Sequence, residues 1–431
     1  MTMTMAQSKV GEGWTPHGPL SEDEQLYFLH IPKTAGTSLR TFLESRFDVG
    51  KVCPHLTMPA MLPTPPSELA GFRLFCGHHG LYLNRLLRRD PVTVTVLRDP
   101  LARTVSHYRH LQATQEDWLH ERVKNKTFEE FVCGEWGPVE LLNFQTRYLA
   151  FDDIQEDYFG HSRLRVSDMP GLIRKYSDPS LADKAKRRLD SLAVVGVQER
   201  FNEMLTLLSA TFGWSPASTF HKYNTAKSRF DESAVTPAAL ARVQELTEID
   251  REVYEHACGL FEAQFAAMTP ERSEELYRDA MRARPRLSSV QYGFDKAVQG
   301  ENWLAIERPG GKFARWTGPG TTTTLDLPLA TDKPLRLRCF VGAQTHDVVE
   351  STRVFANDVE LDLRWWQMHD PAKAQRTIEA TIPPEVLQKN DAYCRLRFEV
   401  SRAVVPSEEW PGRPDNRRLA LYFFWLDIES R

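Results

Sequence analysis

Lys33, His78, Arg98 and Ser106 are the residues of this 431-residue chain whose types and spacing could do chemistry. Lys33 stands in His30-Ile-Pro-Lys-Thr-Ala-Gly-Thr-Ser38, where an apolar run from Leu26 gives way to small residues and then to a helical pattern, Leu39 to Phe47. A strand, a hydroxyl-rich loop and a helix N-terminus make an anion cradle, because loop N–H groups point at the ligand and the helix dipole favours negative charge. The lysine precedes Gly36 and Ser38. In the nucleoside-triphosphatase loop it follows the last glycine, so this cradle is of another kind. An ordinary strand–turn–helix with a solvated lysine is the alternative.

A second segment bears on that choice. Val92 to Leu97 is β-branched and mostly apolar, which suits a buried parallel strand. Arg98 follows at its carboxyl end, where open α/β sheets bind ligands. Asp99 and Pro100 suit the cap and first turn of a helix that carries Ser106 about two turns on. The two segments, His30-Ile-Pro-Lys-Thr-Ala-Gly-Thr-Ser38 and Arg98-Asp-Pro-Leu-Ala-Arg-Thr-Val-Ser-His-Tyr108, resemble the 5′-phosphosulfate loop and 3′-phosphate site of carbohydrate sulfotransferases. That group includes the heparan sulfate 2-O-sulfotransferases and bacterial sulfotransferase family 2 proteins. The resemblance implies the donor 3′-phosphoadenosine 5′-phosphosulfate (PAPS). It assigns Lys33, Thr34, Ala35, Gly36, Thr37 and Ser38 to the 5′-phosphosulfate, and Arg98 and Ser106 to the 3′-phosphate. Arg103, one turn after Arg98, could face the phosphate or be an exposed helix arginine.

Transfer to a hydroxyl needs a base. Gly77-His78-His79-Gly80 follows the short apolar run Leu74 to Cys76, so it too would sit at a strand's carboxyl end. Histidine suits the task because its ordinary pKa is near neutrality. The heparan 2-O enzymes carry His-Gly-His here, and their second histidine resembles His78. Their first falls on Cys76, a departure that leaves any assistance to His79. Two loop histidines without a catalytic role are the alternative, and His30 is a weaker candidate. Lys33 would stabilise the charge that develops on the leaving bisphosphate, so the expected transfer is in line and needs no metal. A nucleotide-dependent kinase sharing the cradle and a catalytically silent glycan-binding protein are the competing readings.

Further along, Asn143, Gln145 and Arg147 could reach donor or acceptor, or merely pack and cap a helix. His221 to Arg229 is a basic, hydroxyl-rich loop whose Lys222, Asn224 and Lys227 could touch phosphate. Asp250 and Tyr254 lie on a helical pattern and read as structural.

These residues need a fold to position them. The expectation is an α/β domain with a P-loop-like parallel sheet flanked by helices, followed by an antiparallel β-sandwich. Residues 1–24 read as a flexible N-terminus, 25–270 as the PAPS-dependent domain, 271–289 as a linker and 290–431 as the sandwich. In the last part the period switches to two, as in Leu335 to Cys339 and Cys394 to Val400, and Asn357-Asp358 marks a hairpin. Trp303, Trp316, Trp365 and Trp366 could form a sugar-stacking platform or a core.

Composition bounds the partners. With 54 basic and 58 acidic residues the net charge is −4, which argues against a nucleic-acid-binding polycation. Basic residues are instead concentrated locally, six arginines against two aspartates between Asn84 and His110. Six cysteines without close pairing suit a reducing compartment. No run has signal or transmembrane character; since the eukaryotic enzymes of the resembled family are membrane-anchored in the Golgi, the resemblance implies for a chain of this kind a soluble, cytoplasmic, bacterial enzyme. The expected partner is a carbohydrate: a polysaccharide, lipid-linked oligosaccharide or glycoside. Acceptor identity and oligomeric state stay open.

Overall fold

The computed structural model describes residues 14–152, 169–216, 235–367 and 372–430. By internal contacts the chain divides into two units. The first comprises Met1–Arg40, Lys51–Leu207 and Lys222–Met268, and the second Thr41–Gly50, Leu208–His221 and Thr269–Arg431.

The first unit is built on a parallel sheet of four strands: β1 (Leu26–Leu29), β2 (Leu74–Gly77), β3 (Val92–Leu97) and β4 (Val194–Val197). The order across the sheet is β2-β1-β3-β4. All four residues of β1, β2 and β4 are buried, as a parallel sheet covered on both faces requires. The chain leaves β1 for a neighbour on one side, β2, and returns to the other side, β3. The carboxyl ends of β1 and β3 therefore flank the crevice in which such sheets hold ligands.

Among the helices around that sheet and its loops are α1 (Gly36–Glu44), α2 (Pro100–Ala113), α3 (Phe144–Ala150), α4 (Ser180–Asp190), α5 (Phe201–Thr211) and α6 (Glu248–Ala266). α2 starts as its sequence predicts, with Pro100 in the first turn and the Asp99 carboxylate accepting the Ala102 N–H at 2.8 Å. The core under the sheet joins Tyr27, Leu29 and Val195 to Phe144, Ala185 and Val253 from α3, α4 and α6.

α3 and α6 are locked by buried polar groups. Asn143, in the left-handed region at φ 46°, directs its Oδ1 to the Ile249 and Asp250 N–H groups at the start of α6. Asp250, 1 % exposed, answers by accepting from the Gln145 N–H, the Thr146 N–H and the Thr146 hydroxyl. Each α-helix thus satisfies the orphan donors of the other.

The second unit holds two antiparallel sheets. One has four strands in the order β11-β10-β14-β8: β8 (Thr322–Leu327), β10 (Arg353–Ala356), β11 (Val359–Glu360) and β14 (Cys394–Glu399). The other has seven: β5 (Ser289–Gly293), β6 (Trp303–Glu307), β7 (Ala314–Thr317), β9 (Leu335–Ala343), β12 (Arg364–Gln367), β13 (Gln375–Ile382) and β15 (Leu421–Ser430). One apolar core joins them, with Leu325, Val354 and Leu396 from the first sheet and Val341, Ile378 and Phe423 from the second. Asn357 and Asp358 both take positive φ (43° and 65°) between β10 and β11, the mirror-image turn that their sequence predicts. The sequence predicts a fully buried strand from Leu419 to Leu426. β15 alternates instead, because one of its faces looks outward. Most of the stretch read as a linker is helical: α7 (Pro270–Arg282) has a buried Tyr277 that donates to Asp326 at 2.8 Å. Trp303 is core, 6 % exposed, with its indole N–H on the Thr324 carbonyl. Among the described residues no helix is long and apolar enough to cross a membrane.

Asp250→Ala would leave three donors of α3 unmet in a buried place. It is expected to cost about 3 kcal/mol, read as a lowered urea midpoint; a loss under about 0.5 kcal/mol would show that α3 is anchored elsewhere.

Candidate active site

The loop between β1 and α1 is held from beneath. Lys33 and Ala35 both sit in the left-handed region (φ 74° and 67°), unfavourable for residues with a Cβ. Reversals of this kind turn successive N–H groups toward one side, as anion nests do. Three bonds hold the shape. The Thr34 hydroxyl donates to the Ile31 carbonyl at 2.8 Å, Arg103 Nε donates to the Pro32 carbonyl at 3.3 Å, and Arg98 Nη1 donates to the Lys33 carbonyl at 3.3 Å.

Those contacts place several predicted residues. Thr34 is fully buried and its hydroxyl proton is spent on the loop itself, so only its backbone can face a ligand. Ser38 is buried, Thr37 is exposed and Gly36 opens α1. Arg103 is not an exposed helix arginine: it is 2 % exposed, with its guanidinium 3.7 Å from the centre of the Phe144 ring. Arg98 is partly exposed at the end of β3, and Ser106 is partly exposed about two turns into α2.

Gln145 links the loop to the α3–α6 lock. Its amide oxygen accepts the Arg98 N–H at 3.0 Å and its amide nitrogen donates to the Arg98 carbonyl at 2.8 Å. It therefore grips the backbone of Arg98 with both amide atoms. Arg147 is fully buried, donating to the Val139 carbonyl and lying over the Tyr176 ring at 4.3 Å. Asn143 caps α6. Of the predicted trio, all three are structural here. Lys222, Asn224 and Lys227 lie outside the described residues.

Lys33 is pulled down to about 8 from the usual lysine range, first by burial and then by the charges of Arg103 and Arg98. It is cationic at neutral pH and stands among other cations. A group in that position gains strongly from an anion.

His78 and His30 form a pair. His78 Nδ1 lies 2.9 Å from the His30 carbonyl, which can only accept, so Nδ1 carries the proton and Nε2 keeps its lone pair. The two rings are 4.3 Å apart, and His30 stacks on Phe28 at 5.1 Å. Burial lowers both pKa values, and Lys33 lowers them further, so both imidazoles are neutral at pH 7. His30 also explains Gly36. A Cβ there would fall 1.6 Å from His30 Nε2.

His79 does not join this pair. It is fully buried, 6.1 Å from the Tyr27 ring, with both ring nitrogens unpartnered and its pKa pushed down to about 3 by burial. Cys76 is buried within β2. The histidine beside His78 is thus His30, from the loop's own strand.

Two residues escape a reading of the sequence. Glu199, just past β4, is a carboxylate at a strand's carboxyl end; the buried-strand pattern Leu192 to Glu199 ends on it, but no strand-end carboxylate is convincing from the sequence. Its oxygens accept the Asp99 N–H at 3.1 Å and the Tyr254 hydroxyl at 3.0 Å, and it raises the pKa of Arg98 against the lowering by burial. His110 sits one turn beyond Ser106 on the same face of α2; burial and then the charge of Lys33 lower its pKa. The i, i+4 spacing from Ser106 is the available signal.

Comparison with known proteins bears on this geometry. No family model matches the chain. It is 24 % identical to the chicken (Gallus gallus) heparan-sulfate 6-O-sulfotransferase 2 over 342 residues, covering 68 % of this chain and 80 % of that protein. The chain is thus similar to heparan-sulfate 6-O-sulfotransferases at about a quarter identity. The zebrafish (Danio rerio) 6-O-sulfotransferase 2 is 26 % identical over 397 residues, 79 % of this chain and 78 % of its own. The human protein of that name is 26 % identical over 308 residues, and there the match spans 61 % of this chain but only about half of the relative, 48 %. All three are animal 6-O enzymes, whereas the motifs alone point to 2-O and bacterial ones.

Gly36→Ala is expected to drive the His30 ring off the loop and to weaken adenosine 3′,5′-bisphosphate binding at least tenfold. The double variant His30→Ala/Gly36→Ala, with the ring removed, should recover most of that binding by calorimetry. Equal binding by Gly36→Ala and the parent would show that the ring does not shape the cradle.

Proposed function

We propose that this chain transfers the sulfuryl group of PAPS to a hydroxyl of a carbohydrate, with the β1–α1 loop as its P-loop-like phosphosulfate cradle. One observation carries the reading: two non-glycine residues of the loop are held at positive φ by arginines that sit at and beyond the end of β3. That arrangement expends strain and buried charge on shaping an anion site beside a lysine. The relatives, named for sulfating heparan sulfate, support a glycan acceptor.

In this reading the loop N–H groups, with Thr37 and Ser38, hold the 5′-phosphosulfate, and Arg98 and Ser106 hold the 3′-phosphate. His78 Nε2 takes the acceptor's hydroxyl proton. The freed oxygen attacks sulfur in line, the bond from sulfur to the 5′-phosphate oxygen breaks, and adenosine 3′,5′-bisphosphate leaves. Lys33, backed by Arg98, stabilises the negative charge on that departing oxygen. The cations are the chain's own, and the reading is therefore metal-independent. Among the described residues no cluster of His, Cys, Asp and Glu has metal-site character.

His78→Ala is expected to lower kcat at least a hundredfold with bisphosphate affinity within threefold of the parent; turnover near that of the parent would remove His78 from the mechanism. Lys33 gives a pH test. Its folded-state pKa lies below the ordinary value, at about 8, so the charge that attracts the bisphosphate is present below that pH and lost above it. Bisphosphate affinity should fall as pH rises from about 7 to about 9, and in Lys33→Arg, charged throughout, it should stay level. Chelator should change neither curve. An identical fall in Lys33→Arg would assign the titration to another group.

A further inference from the structure

The seven-stranded sheet carries an aromatic band on its outward face. Its other face is the core, with Val341, Ile378 and Phe423 fully buried. Residues opposite one another in neighbouring strands share a face. Trp425 of β15 stands opposite Phe340 of β9, Phe340 opposite Thr377 of β13, and Thr377 opposite Trp366 of β12. On the other side Trp316 of β7 stands opposite Tyr422 of β15.

The rings are continuous. Trp316 is 4.6 Å from Tyr422, Tyr422 is 5.5 Å from Phe424, Phe424 is 5.6 Å from Phe340, and Phe340 lies nearly parallel to Trp425 at 18°. A bulge between Phe423 and Trp425 brings Phe424 and Trp425 to the same side. Gly342 provides the bed for Tyr422, since a Cβ there would fall 2.3 Å from the Tyr422 ring. Gln375 Nε2 donates to the Tyr422 hydroxyl. Trp366, at the edge strand, is 60 % exposed.

An outward face of an antiparallel sheet is ordinarily polar. Here half-buried rings on β7, β15 and β9 and the exposed Trp366 on β12, with Thr377 between them on β13, span four interstrand spacings or about 19 Å, and an apolar patch of that kind marks a binding site. The bordering charges select the occupant. Arg336 and Arg338 pair with Glu429 and Asp427, and Arg364 stands opposite Glu379. These are three positive against three negative groups. Such a border offers no net attraction to a polyanion. A pyranose ring presents a face of C–H bonds, positive at the hydrogens, that matches the negative face of an aromatic ring. Its hydroxyls need side-chain partners at the rim, which Thr377 and Gln375 can supply.

We propose that this band binds an uncharged stretch of a polysaccharide, laid across the strands from Trp316 to Trp366. It rests on the carbohydrate reading above only for the class of ligand. The pair of tryptophans on β12 divides accordingly: Trp366 belongs to the band, and Trp365, opposite buried Ile378, does not.

Native electrophoresis of the full chain through gels containing hydroxyethyl cellulose, xylan, glucomannan or dextran tests this. At least one polymer should retard the parent. Trp366→Ala and Trp316→Ala should each weaken that retardation at least tenfold, Trp366→Phe should keep most of it, and circular dichroism should show all three folded. Lys33→Ala, which should lose bisphosphate binding, should be retarded as the parent is. Loss of bisphosphate binding and loss of polymer retardation thus fail separately. No retardation of the parent by any of the four polymers, or equal retardation of the tryptophan variants, would overturn the proposal. So would a dimer of the parent that Trp366→Ala dissociates, since the face would then hold a second copy.

Discussion

Everything at the proposed transfer centre depends on two carbonyl groups being held in place. The Pro32 and Lys33 carbonyls accept from Arg103 and Arg98, and with the Thr34 hydroxyl on the Ile31 carbonyl these bonds keep Lys33 and Ala35 in a backbone region that disfavours them. Neither arginine is free to move. Arg98 is gripped at its backbone by Gln145, and Arg103 is packed on Phe144. Gln145 and Phe144 open α3, whose first turn is tied to Asp250 of α6. A chain of buried bonds thus runs from the C-terminal helix of the first unit to the loop. Of its members only Arg98 is proposed to touch the donor; the others act through contact.

The cost of this design is buried charge. Arg103 and Arg147 lie inside the protein with Glu140 and Asp250 nearby, and His107 stays neutral, pulled down to about 4 by burial, as it bonds Glu140. Buried ion pairs add little net stability, yet removing one partner is expensive. The loop's shape is therefore secured by groups that tolerate little change, although none of them is at the reacting atoms.

How much of this is legible in the sequence depends on the range of the interactions. The strands β1, β3 and β4 and the cap at Asp99 are local patterns, and they stand where periodicity and propensity put them. The alternation of β9 and β14 and the Asn357-Asp358 turn are local as well. What the pattern could not show is partnership. Nothing near Gln145 in sequence says that its amide will grip a residue 47 positions away. Arg103 can pass for an exposed helix residue because its partner, Pro32, is 71 positions distant. His79 and His78 are neighbours with opposite fates, since successive residues leaving a strand face opposite sides. The second unit takes in Thr41–Gly50 and Leu208–His221 for the same reason. Arg46 donates to Ser215 and to the Val298 carbonyl, and Phe42 and Phe47 pack on Trp214.

The bond from His78 Nδ1 to the His30 carbonyl has a consequence for traffic. With Nδ1 pinned to an acceptor that never gives up its role, a proton gained at Nε2 has one way out, through the opening by which it arrived. In the proposed transfer that opening is filled by the sulfated sugar until the product departs. The enzyme can then reset its base only after the acceptor side has emptied. In that proposed transfer proton release and glycan release are one event, and the imidazole serves as a tally of whether the previous sugar has left.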